Sequence, residues 1–143
     1  MKSINLLTGD HYQLSAHLFE PKNPDKKLLL INAATGVKQQ IYFLIAQFFA
    51  DNGFTVITYD YRGIGLSKPA KMKGFVSSMR LWGAVDYKAA TDYIKTNFED
   101  YQKFCLGHSL GALILGMNED SSIFDEFIFV GTQNAFVGNL KFT

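Results

Sequence analysis

The hydrophobic positions of this 143-residue chain follow two spacings, which predict a succession of strands and helices. Short runs of aliphatic, β-branched and aromatic residues predict six strands, at residues 3–7, 12–19, 28–31, 54–59, 104–106 and 127–130. Longer segments with apolar residues three and four positions apart predict helices at residues 39–51, 78–98 and 109–117. Strands that alternate with helices indicate an α/β fold, with a mainly parallel sheet and flanking helices.

Two of these patterns also predict which side chains are buried. Residues 12–19 alternate apolar with polar positions, which predicts a strand with one face in water and places His17 on that face. We expect His11, just before this strand, to be solvated as well. Helix 39–51 carries an apolar stripe that we expect to face the core, formed by Ile41, Leu44, Ile45, Phe48 and Phe49.

Composition and charge exclude several classes of protein. The chain is 48% hydrophobic with a formal net charge of only +1, values that argue against intrinsic disorder. Its 14 basic and 13 acidic residues give no electrostatic footprint for nucleic acid or an anionic membrane. No apolar run approaches the roughly 18 residues of a membrane-spanning helix, and residues 1–10 lack the apolar core of a signal peptide. We therefore expect a cytoplasmic protein.

Cysteine and histidine are too sparse to predict a disulfide or a metal centre. The one cysteine, Cys105, rules out an internal disulfide, fits a reducing compartment and lies in a predicted strand, where a buried structural thiol is expected. The three histidines are scattered along the chain without a metal-ligand spacing. The sequence predicts neither a metal nor a cofactor.

The strongest chemical motif is Gly107-His108-Ser109-Leu110-Gly111, which matches G-x-S-x-G between a predicted strand and a predicted helix. Such a tight turn holds the serine in a strained conformation and lifts its hydroxyl clear of the sheet. The glycines are small because the strand and the helix pass close together, and the Leu110 N–H points to where an oxyanion would form. We expect the His108 side chain to be directed away from the serine, as a packed neighbour rather than a base.

Two further segments follow predicted strands. Residues 32–36 read Asn-Ala-Ala-Thr-Gly, and residues 60–67 read Asp-Tyr-Arg-Gly-Ile-Gly-Leu-Ser. Together with the G-x-S-x-G motif, in this order, they resemble the α/β-hydrolase superfamily and its serine esterase and monoglyceride-lipase-like branch. The run Ala33-Ala34-Thr35-Gly36-Val37, with Gly131-Thr132-Gln133 after the last strand, resembles a subgroup of predicted bacterial hydrolases. The resemblance covers about residues 1–138 and implies no particular substrate.

The resemblance implies roles for the residues of the first and last motifs. Ser109 would be the nucleophile, and the Leu110 N–H would be one oxyanion donor. The loop after the third strand would give the other donor, from either Ala34 or Thr35.

The middle motif allows two interpretations. Asp60 and Arg62 could act as an acid and a substrate clamp, but we favour a structural role in which they brace the loop near the oxyanion turn. Gly63 and Gly65 would allow the bend of that loop. A phosphate-binding loop is disfavoured, because the third glycine and the Gly-Lys-Ser/Thr ending are missing.

In this superfamily the three residues of the catalytic triad follow one another along the chain as a serine, an acid and a histidine. This chain shows only the serine. The 34 residues after Ser109 contain no histidine, and their acidic residues are poorly placed for a triad: Glu119, Asp120, Asp125 and Glu126. We therefore expect residues 1–143 to be a single partial domain, truncated after about the sixth strand. The complete form would hydrolyse a small ester-like molecule, and this chain alone would have little or no activity.

Two alternatives stay open. The predicted last strand would be an exposed edge that carries Phe127, Ile128 and Phe129, so the chain could be a non-catalytic module that binds partners or self-associates there. A second, different chain could instead supply the acid and the histidine to an active assembly.

Overall fold

The computed structural model describes residues 1–132, so Gln133 of the Gly131-Thr132-Gln133 motif and the tail after it lie outside the described residues. Its centre is a six-stranded sheet whose strands match the six predicted ones. In chain order the strands are β1 (Lys2–Leu7), β2 (Gln13–Phe19), β3 (Lys27–Asn32), β4 (Phe54–Tyr59), β5 (Gln102–His108) and β6 (Glu126–Val130).

The spatial order of the strands is β1-β2-β4-β3-β5-β6. β1 and β2 pair antiparallel, and β2 joins β4 antiparallel. The other four strands run parallel to one another. The predicted α/β fold with a mainly parallel sheet is confirmed. Because β3 to β6 run the same way, the loops that follow them meet at one edge of the sheet, where such folds place their functional groups.

Helices cover the sheet in the three predicted regions. The first is a 3₁₀ turn, Gln39–Tyr42, that continues into α1 (Phe43–Asp51). The second is α2 (Met79–Leu81), a π-helical segment Trp82–Asp86, and α3 (Tyr87–Asn97). The third is α4 (Leu110–Leu113), with 3₁₀ turns at Ile114–Met117 and Glu119–Ile123. Within residues 1–132, no helix has the length and apolar character needed to cross a membrane.

The prediction that the polar face of β2 lies in water is wrong at His17, although Gln13 at the start of the strand is exposed. His17 is buried, and its ring packs edge-on against Phe43 of α1. Its Nδ1 lies 2.9 Å from Oε1 of Gln39, in the turn that precedes α1. The helical segment therefore covers the polar face of β2. His11 is exposed, as predicted.

The predicted orientation of α1 is also wrong. The small residues Ala46 and Ala50 are fully buried against the sheet. Four of the five residues predicted to face the core are exposed: Ile41, Leu44, Ile45 and Phe48. Of that stripe only Phe49 packs inward, against Phe54 of β4. Alanine lets the helix backbone approach the strands closely, so the large side chains end up on the outside.

Candidate active site

Ser109 occupies the turn between β5 and α4. Its backbone has φ 51° and ψ −112°, a region that a non-glycine residue rarely adopts. The Ser109 N–H donates to the Val130 carbonyl at the end of β6 (2.8 Å), and its carbonyl accepts from the Ala112 N–H (3.1 Å). The strained serine is therefore fixed from both sides, by the neighbouring strand and by the first turn of α4.

The two glycines of the motif are required by close backbone contacts. A β-carbon at Gly107 would stand 2.6 Å from the Ala112 Cα, and one at Gly111 would stand 2.7 Å from the Asn32 carbonyl carbon. Neither contact is possible for a real side chain. The spacing G-x-S-x-G thus follows from how tightly α4 is packed against the ends of β3 and β5.

Asn32, the last residue of β3, ties the strands to this turn. It is fully buried, and its Nδ2 donates to the Gly111 carbonyl at 3.3 Å. The Tyr59 hydroxyl donates to its Oδ1 at 2.8 Å, and Cys105 Sγ lies 3.6 Å from its Nδ2. Sequence reasoning gave Asn32 no individual role. The available signal was an amide at the end of an otherwise apolar run.

The loop after β3 is held by Tyr42, which sequence reasoning also missed. The Ala34 N–H donates to the Tyr42 hydroxyl (2.9 Å), and that hydroxyl lies 2.9 Å from Nδ1 of His108. Burial raises the pKa of Tyr42, so its hydroxyl stays protonated. His108 therefore bonds to Tyr42 and not to Ser109. The Ala34 N–H already has an acceptor, whereas no described residue accepts from the N–H of Thr35 or of Leu110.

Asp60 is fully buried and holds its own loop to the turn before α1. Its carboxylate accepts the Gln39 backbone N–H (2.8 Å), the Gln39 side-chain amide (3.0 Å) and the Leu66 N–H (2.9 Å). Gly65, at φ 51°, leaves room for this carboxylate, since a β-carbon there would stand 2.6 Å from the Asp60 Cγ. The contacts of Asp60 are those of a structural brace.

The same network fixes the proton position on His17. The Gln39 amide nitrogen faces Asp60, so its oxygen faces Thr58 and His17 and accepts a hydrogen bond from each, at 2.9 Å. Because an amide oxygen cannot donate, His17 carries a proton on Nδ1.

Arg62 lies in a separate cluster and does not pair with Asp60. Its Nε–H donates to Asp86 (2.7 Å), and its terminal nitrogens donate to Asp10 at 2.7 and 3.0 Å. Burial raises the pKa of Asp86 to about 6 despite the guanidinium, whereas the hydrogen bond from Arg62 holds the pKa of Asp10 well below its usual range. Gly63, next in sequence, has φ 81° and lies under Phe75.

Among residues 1–132, no histidine or carboxylate side chain forms a hydrogen bond with Ser109. The chain has three histidines, and none of them hydrogen-bonds to Ser109. Asp120 is bound to Lys88, Lys95 and Thr91. The Asp125 carboxylate accepts the Lys103 N–H (2.7 Å) near the amino end of β6, away from the serine edge.

Comparison with known proteins gives one family match and many structural matches. A family model described as serine aminopeptidase, S33, matches residues 23–132. No curated protein matches the chain.

Three of the similar solved structures come from two bacteria and a fungus. A thermostable carboxyl esterase from Bacillus coagulans superimposes with a TM-score of 0.79 at 18% identity, over 94% of this chain and 45% of that one. An α/β serine hydrolase without a lid from Xanthomonas campestris gives 0.74 at 12% identity, over 99% and 64%. The α/β hydrolase GrgF from Penicillium gives 0.77 at 21% identity, over 92% and 45%. The chain spans about half the length of these proteins.

Proposed function

The chain belongs to the serine aminopeptidase S33 family of α/β hydrolases, and on this premise we propose that Ser109 is the nucleophile of a hydrolase for small carboxylic esters. The observation that carries the proposal is the strained Ser109 backbone, at φ 51° between β5 and α4. An esterase and a serine hydrolase of the same fold support acyl-transfer chemistry.

The reaction would proceed in two acyl transfers. The Ser109 Oγ attacks the ester carbonyl while a base takes its proton, which gives a tetrahedral oxyanion. Collapse of this intermediate expels the alcohol, which leaves with that proton, and the acyl group stays on Ser109. Water, deprotonated by the same base, then attacks the acyl carbon and releases the acid and the free serine.

The oxyanion would be held by backbone N–H groups on the two sides of Ser109. Leu110 at the start of α4 supplies one donor. For the other we favour Thr35 over Ala34, because the Ala34 N–H already donates to Tyr42. Two N–H donors aimed at the developing charge are the usual arrangement for acyl transfer.

The base and its acid would come from neither the described residues nor residues 133–143, which contain no histidine, aspartate or glutamate. A serine without a base is a weak nucleophile at neutral pH. In another serine hydrolase fold, loss of the histidine alone lowers turnover by about 10⁶. We therefore propose that residues 1–143 form a partial domain with little or no turnover of its own.

Hydrolysis of a p-nitrophenyl ester tests the proposed inactivity. Turnover by the chain should not exceed that of Ser109→Ala. A rate that depends on Ser109 would contradict the inactivity, although it would leave the nucleophile assignment standing.

Chemical rescue tests the nucleophile. Imidazole added at high concentration supplies a base, and mass spectrometry of the intact and digested protein then detects the acylated residue. We expect an acyl adduct on Ser109 that is absent from Ser109→Ala and from protein unfolded in urea. Equal labelling of Ser78, an exposed serine with ordinary backbone geometry, would show that Ser109 has no special reactivity.

The alternative is a non-catalytic module that uses β6. Among the described residues β6 pairs only with β5, and Phe127 and Phe129 are 40% and 59% exposed. Exposed apolar edges pair with other chains unless a charge interrupts them. If this edge drives association, Phe129→Lys should lower the apparent mass in sedimentation velocity. An unchanged apparent mass would show that the β6 edge does not mediate association.

A further inference from the structure

The outward side of α1 and of the turn before it carries four large apolar side chains. Ile41, Leu44, Ile45 and Phe48 are 72%, 88%, 40% and 62% exposed. Their spacing places them on one side of the helix, and we call this surface the α1 outer face. It is separate from the Ser109 site and independent of the function proposed above.

A surface of this kind is unusual for an isolated helix. The opposite side of α1 is apolar too, since Ala46 and Ala50 are buried against the sheet. A helix that is apolar on both sides is normally covered on both sides. Single exposed apolar residues are common on protein surfaces, but four adjacent ones indicate an interaction site.

We propose that the α1 outer face is covered by the α1 outer face of a second copy of this chain, with the two helices antiparallel. A two-fold axis that passes between residues 44 and 45 brings Leu44 opposite Ile45 of the second copy. The same axis brings Ile41 opposite Phe48. Every apolar side chain of the face thus meets an apolar side chain, which is the self-complementarity that a two-fold interface requires.

The charges at the ends of the helical segment fit the same axis. Lys38 precedes the segment and Asp51 ends it, and both are exposed. The two-fold axis brings Lys38 of one copy to the same level as Asp51 of the other. It also sets Asp51 beside the amino end of the partner helix, where a negative charge is favourable. A parallel arrangement would place like charges together.

The area that the α1 outer face can bury determines how strong the contact is. Stable interfaces bury about 800 Å² from each protein, and four side chains of this size supply about half of that. We therefore expect a weak dimer that forms only at high protein concentration.

A membrane is a poorer occupant, because the face is bordered by Asp51 as well as Lys38 and the net charge is only +1.

Sedimentation velocity over about a hundredfold range of protein concentration tests the dimer. The unmodified chain should move from monomer to dimer as concentration rises. Leu44→Lys should stay monomeric. The matched control is Leu7→Lys, because Leu7 is 62% exposed on β1 at the far edge of the sheet, and this variant should dimerise normally. Circular dichroism checks that both variants are folded.

Disulfide trapping tests whether the α1 outer faces of two copies meet. Leu44→Cys lies beside the proposed axis and should cross-link to a second copy under mild oxidation, while Leu7→Cys should not. The native Cys105 does not interfere, since it is buried. A chain that is monomeric at every concentration, a Leu44→Lys variant that still dimerises, or equal cross-linking of the two cysteine variants would overturn the proposal. So would binding to phosphatidylcholine vesicles that Leu44→Lys abolishes.

Discussion

Gly111 lies against the backbone carbonyl of Asn32, so closely that a β-carbon at Gly111 would collide with it. Both residues belong to backbone that cannot move aside, since Asn32 ends a central strand. We predict that Gly111→Ala destabilises the fold by about 3 kcal/mol, near the upper end for forced overpacking. Urea unfolding followed by circular dichroism measures the loss.

Gly116→Ala is the matched control for that substitution. Gly116 lies in the 3₁₀ turn that follows α4, and a β-carbon there would meet no atom within 4 Å. Its stability should stay the same or rise by about 0.5 kcal/mol, because alanine restricts the unfolded chain. Equal losses at positions 111 and 116 would mean that the contact with Asn32 is not the cause.

The backbone of Ser109 predicts a gain in stability when glycine, but not alanine, replaces the serine. At φ 51° and ψ −112° a residue with a β-carbon is strained, and glycine is not. Ser109→Gly should therefore be more stable than Ser109→Ala by about 1 kcal/mol. Thermal unfolding of the two variants measures the difference, and an alanine variant that is as stable as the glycine variant would show that the turn is unstrained.

The six strands and the turn at Ser109 could be predicted because their signals are local. A short apolar run identifies a buried strand, and two glycines around a serine identify a turn with no room for side chains. The orientation of α1 could not be predicted, because its segment is apolar on both sides and periodicity does not say which side meets the sheet. The deciding factor was size, since Ala46 and Ala50 permit the closest approach.

The other features that the sequence did not predict depend on contacts between distant parts of the chain. The alternation in β2 shows that its two faces differ, but not that α1 covers the polar one and buries His17 against Gln39. The hydrogen bond from Ala34 to Tyr42 likewise joins a strand end to the next helical turn. Single-residue patterns carry no signal for such pairs.

The Tyr42 hydroxyl should contribute measurably to stability. Tyr42→Phe leaves the buried Ala34 N–H without its acceptor and removes the partner of His108. An unsatisfied buried donor costs about 1–3 kcal/mol. Urea unfolding should show this loss, whereas the control Tyr101→Phe, half-buried and without a hydroxyl bond to a described residue, should unfold like the unmodified chain.

The pair Arg62–Asp86 is buried, so breaking it should be costly. Asp86→Ala leaves the guanidinium of Arg62, itself 4% exposed, without its inner partner. The loss of one member of a buried ion pair costs about 3–5 kcal/mol. Asp100→Ala, which breaks the exposed pair with Lys26, should leave the unfolding midpoint unchanged. Similar effects of the two substitutions would contradict the difference in burial.

The same carboxyl group predicts how stability changes with pH. Burial raises the pKa of Asp86 to about 6 from its ordinary 3.8, so between these values the folded chain holds a proton that the unfolded chain releases. Its contribution to stability is therefore present below pH 3.8 and is lost as pH rises through 6, by up to about 3 kcal/mol. Comparison of urea midpoints for Asp86→Asn and the unmodified chain across this window isolates the effect. Parallel pH profiles would refute it.

The π-helical segment Trp82–Asp86 limits how the long helix around it can change in length. A π turn holds one residue more than an α-helical turn. This lets the Trp82 indole donate to the Arg62 carbonyl while Asp86 accepts from the Arg62 N–H, within one continuous helix. Deletion of one residue here would restore α-helical geometry. The helix before the deletion would then be rotated by about 100° relative to the helix after it, and these two contacts could not form together. Insertions and deletions in relatives should therefore fall outside this segment.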